Sequence, residues 1–196
     1  GTSSPSVELS IAGSDPQLVL WEGSDGASSS KVQLGTGAAQ GFINVHKGDG
    51  TRTVQINSSG DSYFNGGNVG IGTASPGAQL EVVGTVKTTG QAYFTETTLS
   101  FNATQTWDVA TNQVTRVVPT ANVTFSAPTN QIDGAFYSLM IEQDGTGGRT
   151  GSWNTVFKWA AATAPTLTTT ASAKDIFVFR SDGTNMYEVG RQLNVS

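Results

Sequence analysis

The chain has 196 residues and a net charge of −5, with an isoelectric point near 4.7; one or two domains are expected, and attraction to nucleic acid or an anionic membrane by charge is disfavoured. Charged residues make up only 13% and cysteine is absent, which excludes disulfides and thiolate metal sites and leaves little material for solvated helix faces. The composition is instead that of strands and turns, with 24 glycines and abundant Thr, Ser and Asn, while 17 aromatic residues argue against disorder.

No apolar run approaches the ~20 residues of a membrane span, so no membrane insertion is expected. The opening GTSSPS lacks the basic and apolar regions of a signal peptide, and Gly1 and Thr2 read as a cloning or cleavage scar. Residues 1–97 hold 17 of the 24 glycines but 6 of the 17 aromatics. A boundary is therefore expected at 97/98, between a thin glycine-punctuated part and a part able to build a conventional core.

Short strands are expected in the first part at 17–21 (QLVLW), 31–34 (KVQL), 42–46 (FINVH), 53–57 (TVQIN), 62–65 (SYFN), 68–71 (NVGI), 79–83 (QLEVV), 85–88 and 92–95. Most alternate apolar with polar or small residues, as half-buried strands do. Glycine-rich turns fall between them at 23–26, 35–41, 48–50, 58–60 and 66–67. A run of this length spans about 13–17 Å and offers two or three inward side chains. One copy would leave open edges and little apolar area buried. Three copies wrapped on one axis would solve both problems, with inward Val, Ile, Leu and Phe meeting on the axis. The plainer alternative is a monomeric β-sandwich with the same turns.

Longer strands are expected after residue 97: 98–103, 105–108, 114–119, 123–126, 135–143 (AFYSLMIEQ), 149–159 (RTGSWNTVFKW), 175–180 (DIFVFR), 185–191 and 193–195. The glycine cluster 144–148 (DGTGG) reads as joining 135–143 to 149–159 in a hairpin-like pair. Asp182 and Gly183 mark the turn of a second hairpin. Residues 160–173, containing Pro165, read as a loop with room for one short helical turn. This number of strands suits a β-sandwich.

Gly67, Asn68, Val69, Gly70, Ile71, Gly72, Thr73 and Pro76, followed by Leu80-Glu81-Val82, resemble a segment of bacteriophage tail-fibre and tailspike proteins. The series from Gln143 to Thr150, then Trp153, Phe157 to Trp159, Pro165 to Leu167, Asp175 to Phe179 and Asp182-Gly183 is similar to the C-terminal domains of phage structural proteins. The resemblance implies an all-β virion fibre: an intertwined, triple-β-helix-like trimeric shaft over 1–97 with Val69, Ile71, Leu80 and Val82 in its core, and a β-sandwich tip over 98–196. It implies a homotrimer outside the cell, joined to other virion proteins through its N-terminal end, its tip presented to a host-surface receptor or glycan. One alternative is a purely structural head or collar fibre whose tip drives trimerisation; another is a polysaccharide-degrading tailspike.

Candidate chemistry is sparse, and neither an enzyme nor a cofactor is expected. His46 is the one histidine, and no G-x-S-x-G accompanies it. Three copies could converge on a cation at a threefold axis, but Phe42, Asn44 and His46 share one strand face, so His46 points to solvent if Ile43 and Val45 face the axis. Glu142 with Asp144, or Asp175 with Asp182, are the carboxylate pairs a glycosidase could use. The run GTGGR at 145–149 lacks the lysine of a phosphate loop. Asp144, Arg149, Trp153 and Tyr187 are the candidates for receptor or glycan contact, by ring stacking and hydroxyl hydrogen bonds. If 149–159 is one strand, Trp153 and Trp159 share a face with Thr155 and Phe157, which reads as core or subunit interface.

Overall fold

The structure is a computed structural model describing residues 17–20, 32–37, 40–46 and 51–195. Gly1, Thr2, Trp21, Lys31, Lys47 and the turns at 23–26 and 48–50 lie outside the described residues. The chain is all-β, with sixteen strands and one 3-10 turn among the described residues. It divides into two compact units, Gly1–Thr88 and Thr89–Ser196. Thr97, the last residue of the expected shaft, already pairs with Thr115 inside the second unit.

In the first unit, β1 (Gln17–Leu20), β2 (Val32–Gly37), β3 (Gln40–His46), β4 (Arg52–Asn57) and β5 (Tyr63–Phe64) form one antiparallel sheet in chain order. The register lines up Leu34, Ile43 and Ile56, and beside them Val32, Val45, Val54 and Phe64. Because side chains alternate along a strand, these seven share one face. Gln33, Asn44 and Gln55 occupy the other, where the Asn44 amide donates to Gln33 Oε1 at 3.2 Å. The tight end between β4 and β5 follows from its sequence. Gly60 takes φ +106°, Asn57 N–H donates to Ser62 Oγ at 2.9 Å, and Ser58 Oγ accepts from Gly41 N–H at 2.8 Å.

Next, β6 (Val69–Ile71) and β7 (Leu80–Val82) pair in parallel, Val69 beside Leu80 and Ile71 beside Val82. Parallel neighbours usually need a connection of about a dozen residues; here residues 72–79 suffice. Gly72 turns the chain at φ +79°. Asn68 Nδ2 donates to the Pro76 carbonyl at 3.0 Å, and Gly77 N–H donates to Glu81 Oε2 at 2.6 Å, closing the loop. Gly70 has no open room on its face: the Thr73 backbone carbonyl fills the place of a Cβ. The strands expected at 85–88 and 92–95 are absent: neither segment pairs with a strand among the described residues.

The second unit contains β8 (Thr97–Leu99), β9 (Thr104–Gln105), β10 (Val114–Val117), β11 (Val123–Phe125), β12 (Phe136–Glu142), β13 (Gly151–Trp153), β14 (Phe157–Lys158), a 3-10 turn (Ala160–Ala162), β15 (Lys174–Ser181) and β16 (Met186–Val195). From β8 to β13 the strands alternate between two sheets, each parallel to the strand two before it. The chain therefore winds in successive coils, building a six-stranded sheet (β14-β16-β15-β12-β10-β8) and a three-stranded one (β13-β11-β9). β15 pairs antiparallel with both β12 and β16.

This winding overturns one expected pairing. β12 does not form a hairpin with 149–159, because the chain leaves β12 for the other sheet and β15 takes the antiparallel place beside it. The segment 149–159 is itself two strands, broken where Asn154 Oδ1 accepts from Val156 N–H at 3.0 Å. The expected strands 98–103 and 105–108 shrink to β8 and β9, since each needs to reach only its neighbour in the next coil.

Alternation along β10, β12 and β15 sends Val117, Leu139, Ile141, Phe177 and Phe179 into the core. Phe125 stacks on Trp153 at 4.4 Å, and Trp153 meets Phe177 of the facing sheet edge-on at 5.2 Å. Trp107 sits edge-on to Tyr137 and Phe179, its indole N–H donating to the Asn112 carbonyl at 2.7 Å. Each fully buried Phe or Leu stabilises the fold by about 1.5–3 kcal/mol before entropy is subtracted.

Candidate functional site

The four residues put forward for receptor contact do not form one site. Asp144 follows the end of β12, whereas Tyr187 is the second residue of β16, beside Arg180, and Arg180 is opposite Phe136 at the other end of β12. Seven residues of strand separate these ends, about 23 Å at ~3.3 Å per residue.

Asp144 and Arg149 are joined to each other. Arg149 Nη2 lies 2.7 Å from Asp144 Oδ2, while Asp144 Oδ1 accepts from Thr146 and Gly147 N–H at 3.1 and 2.8 Å. The arginine and these amides hold the Asp144 carboxyl below its ordinary range. Gln143, overlooked in the sequence, closes the loop from within: its Nε2 donates to the Arg149 carbonyl and its Oε1 accepts from Arg149 N–H, both at 2.9 Å. The signal was present, since a polar residue continuing the inward alternation of a strand needs partners.

Asp182 accepts from Asn185 N–H at 2.6 Å and from Thr184 N–H at 2.9 Å. These bonds depress its carboxyl strongly, and Tyr187 O–H, donating to it at 3.0 Å, is raised in turn. Asp182 and Tyr187 thus lock the β15–β16 turn.

Trp153 is half-buried in the aromatic cluster, with Trp159 edge-on at 4.8 Å. The two rings meet because the chain folds back at Asn154, not because they share a strand face. Trp153 Nε1 is buried without an acceptor. Over Trp159 lies the Arg191 guanidinium, 5.7 Å from the ring, oriented by Glu188 at 2.6 Å. The guanidinium covers one face of the Trp159 indole.

The carboxylate pairs are also engaged elsewhere. Glu142 is on the outer face of the six-stranded sheet, 3.5 Å from Arg116 and 3.4 Å from Lys174, whereas Asp144 is bound to Arg149. Asp175 and Asp182 flank opposite ends of β15, about 23 Å apart by strand rise, beyond the 5–9.5 Å of glycosidase pairs. Asp175 is 2% exposed and accepts from Thr168 N–H at 2.7 Å and Asn194 N–H at 2.9 Å. It pins the β16 bulge, where Asn194 has φ +58°, to the 168–172 loop.

His46 is half-buried, its Nδ1 buried without a partner. Among the described residues of one copy, no three His, Asp or Glu side chains gather as a metal site would require. No helix among them is long and apolar enough to cross a membrane. A surface concavity of about 560 Å³ lies between Phe64, Asn65, Gly67, Asn68 and Gln79, which the sequence reading passed over.

The most conspicuous surfaces are apolar. On the five-stranded sheet Ile43 is 40% exposed while Asn44, its polar neighbour, is 5% exposed. The quartet Val69, Ile71, Leu80 and Val82 falls on one face of the β6–β7 pair, with Val69 and Val82 half-buried but Ile71 and Leu80 exposed. Neither a protein-family model, nor a curated protein, nor a solved structure matches this chain.

Proposed function

We propose that the chain is part of a bacteriophage fibre and works as a homotrimer, the first unit forming an intertwined shaft and the second a two-sheet, sandwich-like tip. The observation that carries the reading is the inverted burial of the first unit. Leu34, Ile43, Ile56 and Phe64 are exposed on one sheet face, and Ile71 and Leu80 on the next pair. A two-stranded sheet is marginal alone in water, and a contiguous apolar face of this kind marks an interface. Identical copies would cover these faces in register. The likeness of GNVGIGTASP to fibre segments supplies the kind of assembly.

In this reading the tip is presented to a host-surface receptor or glycan, and three copies raise weak single-site affinity through effective concentration. The N-terminal end joins other virion proteins. The test is binding of the purified oligomer to host cells and to a glycan array. Saturable binding supports attachment; a well-folded oligomer that binds neither removes the receptor function.

A second reading is favoured by one observation. Asp144, Arg149, Asp182 and Tyr187 are all engaged in bonds within their own turns. This suits a purely structural fibre whose tip serves to nucleate assembly. The isolated-tip truncation (residues 89–196) separates the two: it would remain oligomeric under the second reading only.

A further inference from the structure

Residues 84–95 (GTVKTTGQAYFT) run between β7 and β8 without regular secondary structure. The last backbone bond before them is Val83 N–H to the Ile71 carbonyl at 2.9 Å, and among the described residues none reaches 84–95 themselves. Val86, Tyr93 and Phe94 stand exposed, Tyr93 at 80% and Phe94 at 64%.

This is not the composition of a spacer. Flexible linkers are Gly- and Ser-rich and stiff ones Pro-rich. Here are four threonines, a valine and two adjacent aromatics, with two glycines and neither serine nor proline. Those residue types favour strands, and both segments read as strands in the sequence. What a strand lacks here is an edge, and the chain itself offers one: the β6–β7 pair is only two strands wide.

We propose that residues 84–95 interlock copies of the chain. This rests on the oligomeric reading above and names the segment that makes it. Residues 85–88 extend the β6–β7 sheet of a neighbouring copy, and Val86 adds to its Val69, Ile71, Leu80 and Val82 face. Residues 92–95 of successive copies then cluster, because copies aligned in one direction bring Tyr93 and Phe94 to the same height. Twelve residues reach at most about 40 Å, several times the ~10 Å between packed sheets. The exposed parts of Ile71, Leu80, Val83, Val86, Tyr93 and Phe94 amount to roughly 600 Å² per copy. That approaches the ~800 Å² per partner of a stable interface. A second copy is the occupant because it alone brings an identical open edge and identical rings at matching height.

The test uses the full chain at micromolar concentration. Amide exchange across 84–95 is expected to be at least about 100-fold slower than in an unstructured peptide. The chain has no cysteine, so Tyr93→Cys gives a background-free crosslink, and mild oxidation is expected to link copies to one another. Thr155→Cys, exposed in the second unit, is expected to link poorly. An oligomer of full mass whose 84–95 amides exchange at the unstructured rate overturns the proposal and leaves the oligomeric reading standing. A monomeric chain removes both.

Discussion

Replacing Asp175 with alanine removes a buried carboxylate that accepts two backbone N–H bonds, from Thr168 at 2.7 Å and Asn194 at 2.9 Å. Hydrogen bonds to a charged group contribute about 1.5–3 kcal/mol each, and an orphaned buried donor costs a similar amount. Asp175→Ala is therefore expected to destabilise the second unit by about 3–5 kcal/mol, a large share of the ~5–15 kcal/mol that holds a domain. Asp175→Asn retains one acceptor oxygen and turns an NH₂ toward the second donor, so it should lose about half as much. Denaturant unfolding followed by tryptophan fluorescence measures this as a lower midpoint with unchanged slope. In a thermal scan each kcal/mol corresponds to about 4–8 °C for a unit of this size. An alanine variant within about 1 kcal/mol of the parent would refute the assignment of Asp175 as the clamp between the β16 bulge and the 168–172 loop.

Asp144 titrates below the usual carboxylate range because Arg149 and two backbone amides hold its charge. Its contribution is present above the unfolded value near ~3.9 and is lost as pH falls through the depressed folded value. Arg149→Ala should move Asp144 up toward that ordinary value in a carboxyl NMR titration, with little change in stability because the pair is partly solvated. Tyr187 is raised by its bond to Asp182, so its contribution holds below pH ~10 and fades as pH rises through the raised value. Absorbance titration at alkaline pH should show a late-titrating phenol that disappears in Tyr187→Phe. At Gly70 an added methyl meets the Thr73 backbone carbonyl. Gly70→Ala, at about 1–3 kcal/mol of overpacking, should raise the concentration at which the oligomer dissociates roughly tenfold, read by sedimentation.

Much of the strand layout is legible from residue pattern. Alternation around Ile43 and Val45, the long apolar run at β12, and the Asp182-Gly183 turn between β15 and β16 all lie where the sequence indicates. Pairing is less legible. The glycine cluster at 144–148 has the composition of a hairpin turn, yet the chain continues into the other sheet because Gln143 and Asp144 close that loop upon Arg149. Coils pair strands that are remote in sequence, such as Thr97 with Thr115 and Phe125 with Trp153. A local reading of turns carries no information about such pairs. The signal that could have shown them is recurrence of like residues: the threonine hydroxyls of 97 and 115 bond at 3.0 Å, and the rings of 125 and 153 stack.

The candidate site was less legible still. Asp144 and Tyr187 both sit beside turns, and turn residues are polar whether or not they meet a ligand. Only the pairing separates them to opposite ends of the six-stranded sheet. The apolar quartet Val69, Ile71, Leu80 and Val82, by contrast, follows directly from period-two alternation, and the register puts all four on one face.

The solution mass of the full chain at micromolar concentration tests the central claim most directly. One copy is 20.3 kDa, and sedimentation equilibrium should return three copies, about 61 kDa, persisting on dilution. A stable, folded species of 20.3 kDa would contradict the account, since the exposed faces of the first unit would then have no need of a second copy.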